Sequence, residues 1–468
     1  MPPLKLVVIG AGPGGYTAAF HAADLGMDVT LIDRSINPGG VCLYFGCIPS
    51  KALLHAAKVV TDAAGAQALG IGFIAPDIDL EQLRLWKDGV ITKLTGGLGQ
   101  LTRQRKIRYV QGDAAFLNST TMAVEKMDGS TEQIPFDRAI IATGSQPVTL
   151  PFLPKSPRIW DSTKALALPS IPKTLLVIGG GYIGLELGSV YAALGSKVSV
   201  VEMLPTLLPG PDRDLADILV RKIKGKFAMV MTETKVIRAS EKADGIEVVL
   251  QNKNGEESTD SFENVLVAVG RKPDTEGLGL EKTGVKVSQK GFIEVDDQRR
   301  TNDLNIFAIG DVAGNPMLAH KASAEAKAVV EAIAGKKTTF EPRAIPAVVF
   351  TDPEVAWCGL TEAEAKAQGL EVTVSKFPWA ASGRALTLNR TDGLTKIIAD
   401  AATRRILGVG IVGVGAGDLI AEATLAIEMG AVADDLSRTI HPHPTLSETL
   451  METAEGLFGS PTHILRKK

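Results

Sequence analysis

One pattern occurs twice in this chain. Residues 4–33 read "LKLVVIGAGPGGYTAAFHAADLGMDVTLID" and residues 173–202 read "KTLLVIGGGYIGLELGSVYAALGSKVSVVE". Each opens with a short apolar strand and continues into G-x-G-x-x-G, at Gly10, Gly12 and Gly15 and again at Gly179, Gly181 and Gly184. A helix of small and apolar residues comes next, ending at Gly26 or Gly195, where glycine suits a left-handed cap. A second strand then closes on a carboxylate, Asp33 or Glu202. The spacing has a physical reason. The first glycine makes the tight turn, the second lets a pyrophosphate approach the backbone, and the third lets the helix lie close on its strand. The helix N-terminus then faces the phosphates, and the acid accepts from the adenosine ribose. Two complete units predict two dinucleotide sites and an α/β fold with two Rossmann-like domains.

Glu202 favours NAD over NADP, because a carboxylate there suits a ribose 2′-hydroxyl and repels a 2′-phosphate, and no arginine stands beside it in "VVEMLPT". The first site is distinguished by its neighbouring thiols. "GGVCLYFGCIPSK" (39–51) sets Cys42 and Cys47 beside the first nucleotide, and thiols can exchange electron pairs with a flavin but not with a nicotinamide. The first unit is therefore expected to bind FAD. "LNIFAIGDVAG" supports this, since its acid, Asp311, sits at a strand end where it could bond ribityl hydroxyls or simply cap the helix after it. "IIATGS" (with Thr143 and Gly144) and "LVAVGR" (ending at Gly270 and Arg271) read as strand-to-loop junctions at the cofactors, and Arg34 and Ala114 join the expected nucleotide contacts.

Five residues along a regular helix separate Cα atoms by about 8.6 Å, beyond the roughly 7 Å a disulfide tolerates. A strand would part them by about 16 Å. A bridge between Cys42 and Cys47 thus needs a distorted turn, which Gly46 and Pro49 can punctuate. "KALLHAAKVV" downstream is helical, so the pair lies near a helix start whose dipole favours thiolate. Two packed core residues or a metal clip are the other readings. Metal is not expected, because the remaining cysteine, Cys358, offers no fitting ligand set. A dithiol cycle also needs a proton acceptor. In "TIHPHPTLSETLMETAEG", Pro444 is expected to start a helix, with His443 just outside it and Glu448 on its second turn as orienting acid. His441 is the rival base, expected to lack an acid at comparable geometry.

The chain's 468 residues exceed one core and suggest roughly three domains. A net charge of −3 gives no reason to expect nucleic acid or a membrane surface. No apolar run approaches the ~20 residues of a spanning helix. Three cysteines and a strand almost at the start point to a reducing, cytoplasmic setting. Proline-rich "GSQPVTLPFLPKSP" reads as a linker. The expected division is an FAD domain over 1–147, an NAD domain over 148–273, a segment returning to the FAD domain over 274–343, and a further domain over 344–468.

Together, "GGVCLYFGCIPSK", "GGGYIGLELG", "GRKPDTEGLGLEK", "AIGDVAGNPMLAHKASAEA", "FTDPEVAWCGLTEAEA" and "HPHPTLSE" resemble the dihydrolipoyl dehydrogenase family of flavin disulfide oxidoreductases over essentially the whole chain. The resemblance implies a C-terminal α+β interface domain and a homodimer in which His443 of one subunit serves the cysteines of the other. It implies Cys42 as the interchange thiol, Cys47 as the thiol touching flavin, Lys51 near the ring with Glu186 as its partner, and Asp311 with Ala319 at the ribityl chain. It further implies oxidation of dihydrolipoamide by NAD⁺, and lipoyl domains of 2-oxo acid dehydrogenase or glycine cleavage complexes as partners. Val41, Leu43–Phe45 and Pro442 vary the family's motifs and bear on redox poise. Glutathione-type reductases favour NADPH, mercuric reductases carry further C-terminal cysteines, and a non-catalytic flavoprotein sensor would not turn over NAD⁺.

Overall fold

The duplicated units fold into duplicated sheets. In the computed structural model, which describes residues 2–465, strand Lys5–Ile9 lies between Asp28–Asp33 and Arg138–Ile141, all parallel, with Val7 opposite Thr30 on one side and Ala139 on the other. Strand Thr174–Ile178 lies likewise between Lys197–Val201 and Asn264–Val267, with Leu176 opposite Ser199 and Val265. Each central strand is apolar throughout because both of its faces are covered. Leu6 and Val8 pack on the helices Pro13–Asp24 and Ala319–Ile333, while Val7 and Ile9 pack under an antiparallel layer with Phe116, Met122 and Val124. The second unit alternates in the same way: Leu175 and Val177 face its helix (Tyr182–Ala193), and Leu176 and Ile178 face Ile246, Val248 and Phe262.

The first sheet has seven strands. Ile306–Ala308 adds an outer strand beside Arg138–Ile141, so the chain returns to the first domain after crossing the second. Arg108–Asn118 leaves the parallel layer at its far end and pairs antiparallel with Thr121–Lys126, which in turn pairs with Thr131–Pro135. The second unit has a five-stranded parallel sheet and a separate antiparallel layer, Thr234–Lys242, Gly245–Asn252 and Glu257–Phe262. The lobes are joined where Ser145–Pro147 pairs antiparallel with Arg271–Pro273. The C-terminal part is a five-stranded antiparallel sheet with helices Ala416–Met429 and Glu448–Phe458 against it, around a fully buried Trp379. The molecule is α/β with two Rossmann-like lobes and a C-terminal α+β domain, as expected.

One sequence expectation is corrected. Residues 40–69 are long and apolar enough to pass for a membrane span, with a hydropathy of 1.2. The stretch is broken into Gly40–Phe45, Cys47–Gly65 and a 3₁₀ turn at Ala66–Leu69, and Leu53 and Ala57 belong to the protein core.

The C-terminal domain is fastened to the second lobe by buried charge. Lys396, 1% exposed, bonds Asp212 at 2.7 Å and pairs with Asp214 at 3.1 Å and with Glu362. Burial alone would raise the Asp214 carboxyl, but Lys376 and Lys396 outweigh it and hold the group below the usual carboxylate range. A depressed carboxylate contributes stability above its unfolded pKa and loses it as pH falls through the folded value. Lys396→Met is expected to cost about 3 kcal/mol at neutral pH, chiefly by removing the buried ammonium that pairs Asp212, since Asp214 and Glu362 keep Lys376. Thermal melts from neutral to acid should show that deficit shrinking as the acids protonate.

Candidate active site

Both fingerprint loops are built by the same close approaches. A Cβ on Gly10 would stand 2.4 Å from the Ala142 carbonyl, and one on Gly179 would stand 2.4 Å from that of Ala268. A Cβ on Gly15 or Gly184 would meet the carbonyl oxygen of Gly10 or Gly179 at 1.8 or 2.1 Å, so the helix can lie on its strand only where these positions are glycine. Asp33 accepts from the Ala11 N–H at 2.7 Å and the Ser35 N–H at 2.8 Å. Glu202 accepts from Gly180 and Leu204 at 2.7 and 2.8 Å. Each acid thus braces its loop and still has lone pairs free for a ribose. Neither helix has a side-chain cap or an acid in its first turn, so both N-termini present free N–H groups to a phosphate.

The first loop opens on a cavity of about 490 Å³. Gly10, Gly12, Asp33, Arg34, Ala114, Thr143, Gly144, Arg271, Asp311 and Ala319 line it, together with Cys42, Cys47, Lys51 and Glu186. It runs from Asp33 to both sulfurs, and this donor set fits FAD: an uncapped helix end for the pyrophosphate and carboxylates, Asp33 and Asp311, that could meet its two sugar-like parts. Asp311 lies in a short turn, Gly310–Ala313, and does not cap the helix behind it, whose N-cap is Leu318. It accepts from the Ser145 hydroxyl at 2.6 Å, and Ser145 Oγ accepts in turn from Arg271 Nε at 2.7 Å. Gly179, Gly181, Gly184, Glu202 and Gly270 stand outside this cavity, on the second lobe. Gly181 has no heavy atom within 4 Å of a built Cβ, which leaves an open approach for the second nucleotide.

The glycines before Cys42 have a definite task. Gly40 has φ +56, and a Cβ on it would lie 2.4 Å from the Gly12 Cα. The helix Gly40–Phe45 is therefore seated directly on the fingerprint loop. Gly46, at φ −142 and ψ −110, breaks the chain between that helix and Cys47–Gly65, supplying the distorted turn the spacing requires. Cys47 opens the second helix, and both thiols are free. Their mutual hydrogen bond is the main electrostatic fact of the pair. It pushes the Cys42 thiol up, with burial adding to the shift. The same bond and Lys51 bring Cys47 down to about 7.

Lys51 Nζ donates to Glu186 at 2.9 Å, and Glu186 also accepts from Ser50 Oγ at 3.0 Å and the Phe350 N–H at 2.9 Å. Ser50, Ser145, Tyr182 and Phe350 belong to this site and were not singled out in the sequence. Ser50, Ser145 and Phe350 all lie inside quoted motifs, Phe350 as the first residue of "FTDPEVAWCGLTEAEA", but nothing in that motif foretells its meeting with Lys51.

The histidine segment departs from expectation twice. The final helix begins at Glu448, not Pro444, because Glu448 accepts the Thr445 N–H and holds the preceding residues in an irregular turn. His441 does have an acid, Glu422 Oε1, 2.8 Å from Nε2, while Nδ1 meets the Thr439 carbonyl. With both nitrogens engaged and its side chain 4% exposed, His441 is a structural residue. His443 is 77% exposed, pairs through Nδ1 with Glu448 at 2.8 Å, and leaves Nε2 free. Burial would raise Glu448, but the Thr445 N–H and the imidazole outweigh it and hold the carboxyl low. His443 does not line the cavity of its own chain. Among the described residues no cluster of His, Cys, Asp or Glu could hold a metal.

Gly40→Ala should lower the flavin-to-protein ratio in a chain that still folds, since the positive φ alone costs about 1–2 kcal/mol and the methyl collides with Gly12. Absorbance of purified protein beside circular dichroism checks it. Iodoacetamide labelling of reduced Cys47 should rise through a midpoint of about 7, and Lys51→Gln should move that midpoint upward.

Residues 4–326 match the pyridine nucleotide-disulphide oxidoreductase model and residues 345–454 match the dimerisation domain of the same group. The chain is 49% identical over 465 residues to the dihydrolipoyl dehydrogenase of Vibrio cholerae, covering 99% of this chain and 98% of the relative. It is 48% identical over 469 residues to that of Thermus scotoductus, covering 100% of both. The solved structure of LpdA from Mycobacterium tuberculosis superposes with a TM-score of 0.90 at 26% identity, over 97% of this chain and 100% of that one. With two dinucleotide loops, a thiol pair seated on the first and a dimerisation domain behind them, the chain belongs to the pyridine nucleotide-disulphide oxidoreductase family.

Proposed function

We propose that the protein oxidises dihydrolipoyl groups to lipoyl disulfides with NAD⁺ as acceptor, working through a Cys42–Cys47 disulfide. The observation that carries this reading is the thiol pair seated on the first dinucleotide loop, with a lowered Cys47 thiol beside Lys51. FAD, held along the cavity lined by Gly12, Asp33 and Asp311, would supply the two-electron acceptor between the thiols and NAD⁺. The chain's own residues handle sulfur and protons. The first substrate thiol gives its proton to His443 Nε2 and attacks Cys42 Sγ; the Cys42–Cys47 bond breaks, and Cys47 leaves as thiolate, a good leaving group because its pKa is low. The second substrate thiol attacks the substrate sulfur of the mixed disulfide; the lipoyl ring closes, and the proton of the attacking thiol goes to Cys42, which is released as the thiol. With FAD bound as the two-electron acceptor, the Cys42 thiol would give up its proton and the Cys42–Cys47 disulfide would re-form. Glu448 fixes the His443 tautomer through Nδ1 and stabilises the imidazolium.

Because His443 stands outside its own chain's cavity, this reading draws the base from the partner in a homodimer. A lipoyl domain of a 2-oxo acid dehydrogenase or glycine cleavage complex is the proposed substrate carrier, in a cytoplasmic setting that keeps Cys358 reduced. Glu202 supports NAD over NADP. Steady-state assays pairing dihydrolipoamide or glutathione with each nicotinamide test the reading, which expects turnover with dihydrolipoamide and NAD⁺ and would be lost if glutathione with NADP were the faster pair. Cys47→Ser should abolish turnover, and His443→Gln should lower kcat by about 10²–10⁴.

A further inference from the structure

Lys51 is held by two things. One is Glu186, 2.9 Å from Nζ; the other is the Phe350 ring, whose centroid lies 4.5 Å from the ammonium. Phe350 comes directly after strand Ala347–Val349 of the C-terminal sheet, far in sequence from both other residues. Its own N–H occupies the second oxygen of Glu186 at 2.9 Å. One residue of the C-terminal domain therefore fixes the carboxylate with its backbone and receives the ammonium on its ring. Lys51 stands one helical turn after Cys47, on the same face of the helix Cys47–Gly65. The titratable groups facing Cys47 are Cys42 from the preceding helix, Lys51, Glu186 and Tyr182 from the second fingerprint helix, and Tyr16 from the first. Of these, Lys51 alone is a cation. Its side chain is still one-third exposed, so without the ring it can swing toward water.

We propose that Phe350 is a positioning residue that holds Lys51 against the redox thiol, so that docking of the C-terminal domain sets the charge felt by Cys47. This rests on the reading of Cys47 as the redox thiol for its catalytic consequence, while its test needs no turnover. The test uses the FAD-loaded protein in a Cys42→Ser background, tracking iodoacetamide alkylation of Cys47 against pH by mass spectrometry. Cys358 does not interfere, since burial pushes its thiol up to about 11. Phe350→Leu is expected to raise the Cys47 midpoint by about half a unit, a roughly threefold slower reaction on the acid side. Phe350→Tyr, which keeps the ring, should restore the original midpoint. In a Lys51→Gln background, Phe350→Leu should add no further shift.

An unmoved midpoint in Phe350→Leu overturns the proposal. So does an equal shift in Phe350→Tyr, or a shift that persists without Lys51, because each marks a packing effect unrelated to the ammonium. Should Phe350→Leu fail to fold, Phe350→Met poses the same question with a more adaptable side chain. Absence of dihydrolipoamide turnover in the protein with both cysteines, alongside the expected alkylation pattern in the Cys42→Ser background, would count against the proposed reaction and leave the role of Phe350 standing.

Discussion

The contact on which the site depends is backbone against backbone. Gly40 approaches Gly12 so closely that a side chain on Gly40 would force the segment between them to move. The fingerprint loop is itself fixed by Gly10 against Ala142 and by Asp33 bonded to Ala11. A rigid nucleotide loop thus becomes the foundation for the helix that carries Cys42. Side-chain packing could tolerate adjustments of a few tenths of an ångström at that junction, whereas two apposed glycines leave almost no slack. Sulfur position is inherited from nucleotide position, and electron exchange requires that inheritance.

A second constraint gathers charge. Glu186 takes donors from the cysteine helix and the C-terminal strand while sitting on the second fingerprint helix. A carboxylate only 4% exposed is costly unless paired, and here its oxygens are shared among Ser50, Lys51 and Phe350. Removing any one domain would strand the others' polar groups. The Lys396 cluster fastens two of these three domains, the C-terminal domain and the second lobe, at a second point.

Much of this was legible from residue order. The duplicated glycine spacing pointed to two parallel lobes because each glycine answers a local steric demand that few other arrangements share. The cysteine spacing called for a broken helix, and Gly46 provides it. Legibility ended where partners are distant. Phe350 opens the "FTDPEVAWCGLTEAEA" motif, but its meeting with Lys51 depends on how the third domain docks, which the motif alone does not show. Glu422 is nineteen residues from His441, too far for a local pattern to reveal, and so His441 looked unpartnered. Pro444 suggested a helix start by its fixed φ, but the Glu448 carboxylate, by bonding Thr445, sets the start later.

The two lobes share one design yet hold their nucleotides under different conditions, and the difference lies opposite the second glycine. Gly12 faces Gly40, and beyond it lies a cavity walled by the returning segment around Asp311 and by the second lobe's Tyr182 and Glu186. Gly181 faces open space. A cofactor that must cycle in place gains from enclosure, because water is excluded and the sulfurs cannot drift. A nucleotide that must depart after each hydride transfer gains from exposure, because tight enclosure would make release the slow step. The cysteine segment inserted after the first unit is thus both the redox centre and the wall that makes one copy a resident site. Its absence from the second copy leaves that site suited to exchange.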